Sequence, residues 1–160
     1  SVDVFVWKVT NGVVNPTPQK YAFPVATPSY YWSVVPMPIG MTGYMGFFST
    51  SATNGLIWMN STMGEVSRSS GVRTSGGDVT TINGRVYVAY TAYSGDQKGV
   101  MRICDITDGK YNQIFNYTME ASGANGNGTA SACLMVKNNE LYAVFGCTGS
   151  GLYFYRIACK

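Results

Sequence analysis

Apolar and polar residues alternate along much of this chain with a period of two, and no window of a dozen residues carries a 3.6-residue period. Such alternation, bounded by Gly, Asn and Ser, is the pattern of β-strands and not of amphipathic helices. Three of the runs read alike: residues 42–50 (TGYMGFFST), 84–91 (GRVYVAYT) and 140–146 (ELYAVFG). Each sets a Tyr a few positions ahead of a second aromatic. A polar turn containing Gly follows each one, over residues 51–55, 94–99 and 148–151. A second strand then starts at a Gly: residues 55–60 (GLIWMN), 99–106 (GVMRICDI) and 151–157 (GLYFYRI). The same β-hairpin is thus written three times, with glycine supplying the positive φ that a chain reversal needs.

The repeat is longer than a hairpin. Residues 78–84 (DVTTING) lead into the second copy and residues 133–139 (CLMVKNN) into the third. Both are a short apolar strand ending in an Asn-containing turn, so the unit has at least three antiparallel strands. The marker residues Tyr44, Tyr87 and Tyr142 recur at spacings of 43 and 55 residues. A four-stranded propeller blade takes about 40–50 residues, and the longer spacing is accounted for by a Gly/Asn/Ala/Ser-rich loop over residues 122–131. The expected fold is all-β, with antiparallel blade-like repeats forming about three β-propeller blades and a partial ring. A β-sandwich built from the same repeats is the alternative.

Residues 1–160 are read as a single β-repeat domain. Residues 1–12 form a terminal strand, residues 16–40 a connector, and residues 41–66, 75–118 and 130–160 the blade-like repeats. The connector holds all six prolines, which exclude a central strand; edge strands with little regular pairing are expected there. The strand near Ser1 resembles the second hairpin strand of a repeat, and a similar strand ends just before Lys160. The chain therefore begins and ends in phase, which is expected either of a piece of a longer propeller or of copies that assemble through open blade edges.

Composition narrows the setting. Charged residues are 12% of the chain and hydrophobic residues 46%, against a usual charged share of about 25%. Ser, Thr, Asn, Gln and Gly must wet the surface, as is common in secreted and cell-surface β proteins. The expected location is extracellular or at the cell surface, although no signal peptide is visible at Ser1. The 11 basic and 8 acidic residues are scattered, giving a net charge of +3 with no basic patch, so nucleic acid is a poor partner. No apolar run reaches the length of a membrane-spanning helix.

The chain has no histidine. That removes Ser–His–Asp and Cys–His catalysis and His-ligated zinc from within this chain. Cys104, Cys133, Cys147 and Cys159 form no C-x-x-C pair. Two disulfides or buried free thiols remain the alternatives. Asp105 and Asp108 flank a turn and are expected to hydrogen-bond its backbone. The same stretch lacks the spacing of a calcium loop. No metal site, cofactor or catalytic residue is expected, leaving only a carboxylate pair as a route to hydrolysis.

Aromatic residues are 14% of the chain. Tyr and Trp offer an apolar face with a polar handle, suited to stacking on sugar rings. Tyr30, Tyr31, Trp32, Tyr90 and Tyr93 are the candidate ligand-binding residues, with inter-strand core packing as the competing role. Asn60, Asn116 and Asn127 stand in Asn-x-Ser/Thr glycan-acceptor patterns.

Residues 82–90 (INGRVYVAY), followed by residues 100–107 (VMRICDIT), resemble blades of secreted β-propeller proteins, most of all uncharacterised surface propellers of gut Bacteroidetes. The resemblance covers residues 41–157. It lacks the Trp-Asp ending of WD repeats, with Cys104-Asp105 at the comparable place, and it implies a fold without a mechanism. The leading functional expectation is a non-enzymatic extracellular module that binds carbohydrate or another surface polymer. The alternative is a structural or assembly protein of a surface appendage or virion, or a propeller scaffold for a protein partner.

Overall fold

Period-two alternation becomes strands throughout. The computed structural model describes residues 2–23, 32–36, 45–49, 56–59, 65–69, 73–93, 99–108, 110–118, 131–147 and 151–158, and among them there is no helix. The strands are β1 (Val2–Val6), β2 (Val9–Thr10), β3 (Val13–Val14), β4 (Gln19–Phe23), β5 (Trp32–Pro36), β6 (Met45–Ser49), β7 (Leu56–Met59) and β8 (Glu65–Ser69). They continue with β9 (Arg73–Ile82), β10 (Arg85–Tyr93), β11 (Gly99–Asp105), β12 (Asn112–Thr118), β13 (Ser131–Lys137), β14 (Glu140–Cys147) and β15 (Gly151–Ile157).

All pairings among the described residues are antiparallel, and the three larger sheets are meanders in chain order. An amino-terminal hairpin pairs β1 with β4, and β2 with β3. A first sheet runs β5-β6-β7-β8, a second β9-β10-β11-β12, and a third β13-β14-β15. Strand β9 also lies beside β13 and beside β5 and β6, so the leading strands of successive sheets are neighbours. The chain is therefore an all-β protein of repeated, open antiparallel sheets.

The turns follow from local chemistry. Asn11–Gly12, Asn83–Gly84 and Asn138–Asn139 all have positive φ, between 50° and 77°. Two consecutive left-handed residues make the hairpin turn whose twist matches that of the strands, and Asn and Gly tolerate it best. The Pro-rich stretch differs from expectation. It supplies edge strands as expected, β4 and β5, but each is regularly paired over five residues, and β5 opens the first sheet. Both are edge strands, and Pro36 sits at the last position of β5, where a missing N–H costs no interior ladder bond.

The core lies on both faces of the second sheet. Val86, Val88, Tyr90, Val100, Cys104 and Ile106 cluster on one face, with Val79 and Tyr111 against them. Tyr87, Ala89, Met101 and Ile103 occupy the other and pack with Ile82, Ala132, Leu134, Leu141, Ala143 and Phe145. Strand β10 is consequently apolar without interruption from Val86 to Tyr90, as in a sheet covered on both sides. Phe115 of β12 stacks with Phe145 and lies 4.7 Å, between ring centroids, from Tyr155 of β15. These aromatic contacts join the second sheet to the third.

Polar bonds fix the sheet ends. Asp105 is buried, and its Oδ1 accepts from the Thr107 amide at 3.0 Å and hydroxyl at 2.6 Å. Its Oδ2 accepts from Arg85 Nε at 2.6 Å. Thr107 Oγ1 in turn accepts from the Val86 amide, and the Ile106 amide donates to the Val86 carbonyl. Burial pushes the Asp105 carboxyl up, but the bonds from Thr107 and the Arg85 guanidinium outweigh it and hold it below the ordinary carboxylate range. Asp108 accepts from the Lys110 amide and from Asn112, so both acidic residues do serve the turn.

Candidate binding surface on the amino-terminal hairpin

Residues 2–23 fold back on themselves around the Asn11–Gly12 turn. The ladder runs from Val2 opposite Phe23 to Val6 opposite Gln19, and the Asn15 amide donates to the Lys8 carbonyl at 2.8 Å near the tip. In strand β1 side chains alternate between faces. Asp3 and Phe5 therefore point the same way, with Trp7 following just past the strand. Phe5 is 49% exposed and Trp7 51%, and their ring centroids are 6.2 Å apart at an interplanar angle of 37°. Lys20, directly across the ladder from Phe5, holds its Nζ 2.8 Å from Asp3 Oδ2 and 6.0 Å from the centre of the Phe5 ring.

The result is a two-ring apolar platform with a carboxylate and an ammonium at one end. An aromatic plane of this kind matches the C–H face of a sugar, while the charged pair offers both acceptor and donor to its hydroxyls. Phe5 and Trp7 are not among the binding residues expected from the sequence; the period-two parity of residues 2–9, which sets them on the face of Asp3, is the signal that points to them.

The candidates proposed from sequence fall elsewhere. Tyr30 and Tyr31 lie outside the described residues. Trp32 opens β5 and Tyr93 ends β10 opposite Gly99, with both side chains outside the described ones. Tyr90 is 2% exposed and belongs to the core beside Cys104, so it presents no face to a ligand. Asn116 lies on exposed strand β12 and its Oδ1 accepts from Arg102 Nε at 3.0 Å. Asn60 and Asn127 lie outside the described residues.

Cys104 and Cys133 are free thiols, the first buried and the second exposed. The side chains of Cys147 and Cys159 lie outside the described ones. Burial pushes the Cys104 thiol up, against a hydrogen bond with Tyr90 and the charge of Arg102. Five carboxylates have described side chains, and each is engaged in a structural bond. Asp3 pairs with Lys20, and Asp78 with backbone amides. Asp105 and Asp108 hold their turn, and Glu140 bonds Tyr142 and Arg156. Among the described residues no three Cys, Asp or Glu side chains converge as a metal site would require. No described helix is long and apolar enough to cross a membrane.

Compared with known proteins, the chain matches no protein-family model and no curated protein sequence.

Proposed function

We propose that this chain is a non-enzymatic, extracellular binding module built from propeller-type blades, and that it takes carbohydrate on the Phe5–Trp7 platform. The observation that carries the reading is the exposed ring pair flanked by the Lys20–Asp3 ion pair. Half-exposed aromatic rings forgo hydrophobic burial, and a ligand with an apolar face and polar rim recovers it. The blade reading draws support from the successive antiparallel meanders whose leading strands are neighbours. The extracellular setting draws support from the 12% charged composition. The non-enzymatic reading draws support from the engagement of all five described carboxylates in turns, ladders and ion pairs. Affinity electrophoresis through gels containing soluble polysaccharides, together with a glycan array, tests the proposal. Retardation by at least one glycan is expected; free migration in every gel and a blank array reject it.

A further inference from the structure

The charge beside the Phe5–Trp7 platform is cancelled where it stands. Residues 2–23 hold three charged side chains, Asp3, Lys8 and Lys20. Lys20 lies directly across the ladder from Phe5, where a free ammonium would draw an anionic ligand onto the ring. Its Nζ is instead held 2.8 Å from Asp3 Oδ2, while remaining 6.0 Å from the centre of the Phe5 ring. Asp3 can reach it because it stands two positions before Phe5 in β1, on the same face. Neither partner is buried: the side chains of Lys20 and Asp3 are 59% and 34% exposed, so a ligand on the rings meets both.

We infer that Asp3 is a specificity-determining residue of this platform: by neutralising Lys20 it makes the site one for uncharged glycans and turns away polyuronates. The inference rests on the sugar-binding reading above. An ammonium has three N–H donors. Asp3 takes one and leaves the others for hydroxyl or ring oxygens, while its own carboxylate accepts only from a donor. A sugar hydroxyl donates and accepts, so it satisfies both partners together. A sugar carboxylate only accepts. Bonded to Lys20, it would stand roughly 4.6 Å from the Asp3 oxygen, the separation of two acceptors on one ammonium. Like charges at that distance repel. Selectivity thus comes from the repulsion that Asp3 adds as well as from the stacking that the rings supply.

Biolayer interferometry of the full chain on biotinylated polysaccharides tests it, at about 150 mM salt so that long-range attraction to a polyanion is screened beyond about 8 Å. The neutral probes are galactomannan, xyloglucan and hydroxyethylcellulose; the acidic ones are polygalacturonate and alginate. The parent is expected to bind at least one neutral probe through Trp7, and the acidic ones no better than Trp7→Ala does. Asp3→Asn keeps the side chain's shape and frees Lys20. It is expected to raise affinity for an acidic probe by about tenfold or more, the worth of a charge-assisted bond. Adding Lys20→Gln should abolish that gain, and adding Lys8→Gln should leave it. All three positions are on the surface, and circular dichroism checks that the variants fold. Trp7-dependent binding of an acidic probe by the parent, as tight as that of a neutral one, overturns the inference and leaves the platform standing. So does an Asp3→Asn variant that gains nothing, or a gain that survives Lys20→Gln. Silence on every probe rejects the platform itself, and this inference with it.

Discussion

The Leu134 amide of β13 donates to Asp78 Oδ2 of β9 at 2.9 Å, joining the leading strands of two successive sheets across 56 residues of sequence. The other oxygen, Oδ1, accepts from the Val79 amide at 2.8 Å. A single carboxylate thus bonds the backbone of its own strand, in the middle of β9, and ties one repeat to the next. Backbone amides at a sheet–sheet junction have few other acceptors, so the bond governs how the repeats stack.

Asp78→Ala leaves the Leu134 amide without this acceptor, and the cost of such a part-buried donor is about 1–3 kcal/mol. Urea unfolding followed by circular dichroism is expected to show a lower midpoint with an unchanged slope. Equal stability of the two proteins would count against the junction.

The same substitution should change Cys133. Desolvation pushes its thiol up, and the charge and hydrogen bond of Asp78 push it further the same way. Without Asp78 more thiolate is present at pH 8, and thiolate is the reactive form. Iodoacetamide labelling resolved by peptide mass spectrometry is expected to be several-fold faster at Cys133. Cys104, buried in the core, should stay protected and so report that the fold is intact. An unchanged rate at Cys133 would sink the assignment.

Asp105 predicts the acid limb of stability. Its folded-state value is depressed, so the folded protein holds that proton less readily than the unfolded chain. The stabilisation is full above the unfolded value of about 3.9 and is lost as pH falls through the lower folded one. Asp105→Asn is expected to cost about 1.5–3 kcal/mol near pH 6, the worth of its charge-assisted bonds. Urea midpoints measured from pH 6 down to pH 2 should then fall less steeply than in the parent. Part of the limb will survive, because Asp108 is also held low, by Asn112 and the Lys110 amide. An equally steep limb would contradict the role given to Asp105.

Trp7→Ala should weaken binding to a retained glycan about tenfold, a loss of roughly 1.4 kcal/mol, and leave thermal stability within about 0.5 kcal/mol because the ring is half exposed. Phe145→Ala makes the contrasting case. Phe145 is fully buried against Phe115 and Tyr155, and its truncation should cost about 3–5 kcal/mol. Matched affinity gels and urea titrations separate the two. A Trp7 variant bound as tightly as the parent would displace the site from the hairpin.

Much of the strand order was legible because its causes are local. Asn83–Gly84 and Asn138–Asn139 set their turns by their own φ preferences, and the alternation of residues 140–146 set the faces of β14. The turn roles of Asp105 and Asp108 were legible for the same reason, since each bonds a backbone amide two residues on. The site was less so. Tyr90 and Trp7 both stand in aromatic alternations, yet one is buried and the other half exposed. A strand's own pattern says which residues share a face, not whether a neighbouring sheet covers it.

That division holds for the whole molecule. By itself the sequence determined an all-β chain of repeated antiparallel units, because φ preference and period-two alternation act within a few residues. Only the tertiary structure decided that β5 opens a sheet and that Asp78 reaches Leu134. It also decided that Tyr90 is sealed while Trp7 is half exposed. Each of these depends on which sheet lies alongside, and burial is a property of neighbours that no single strand carries.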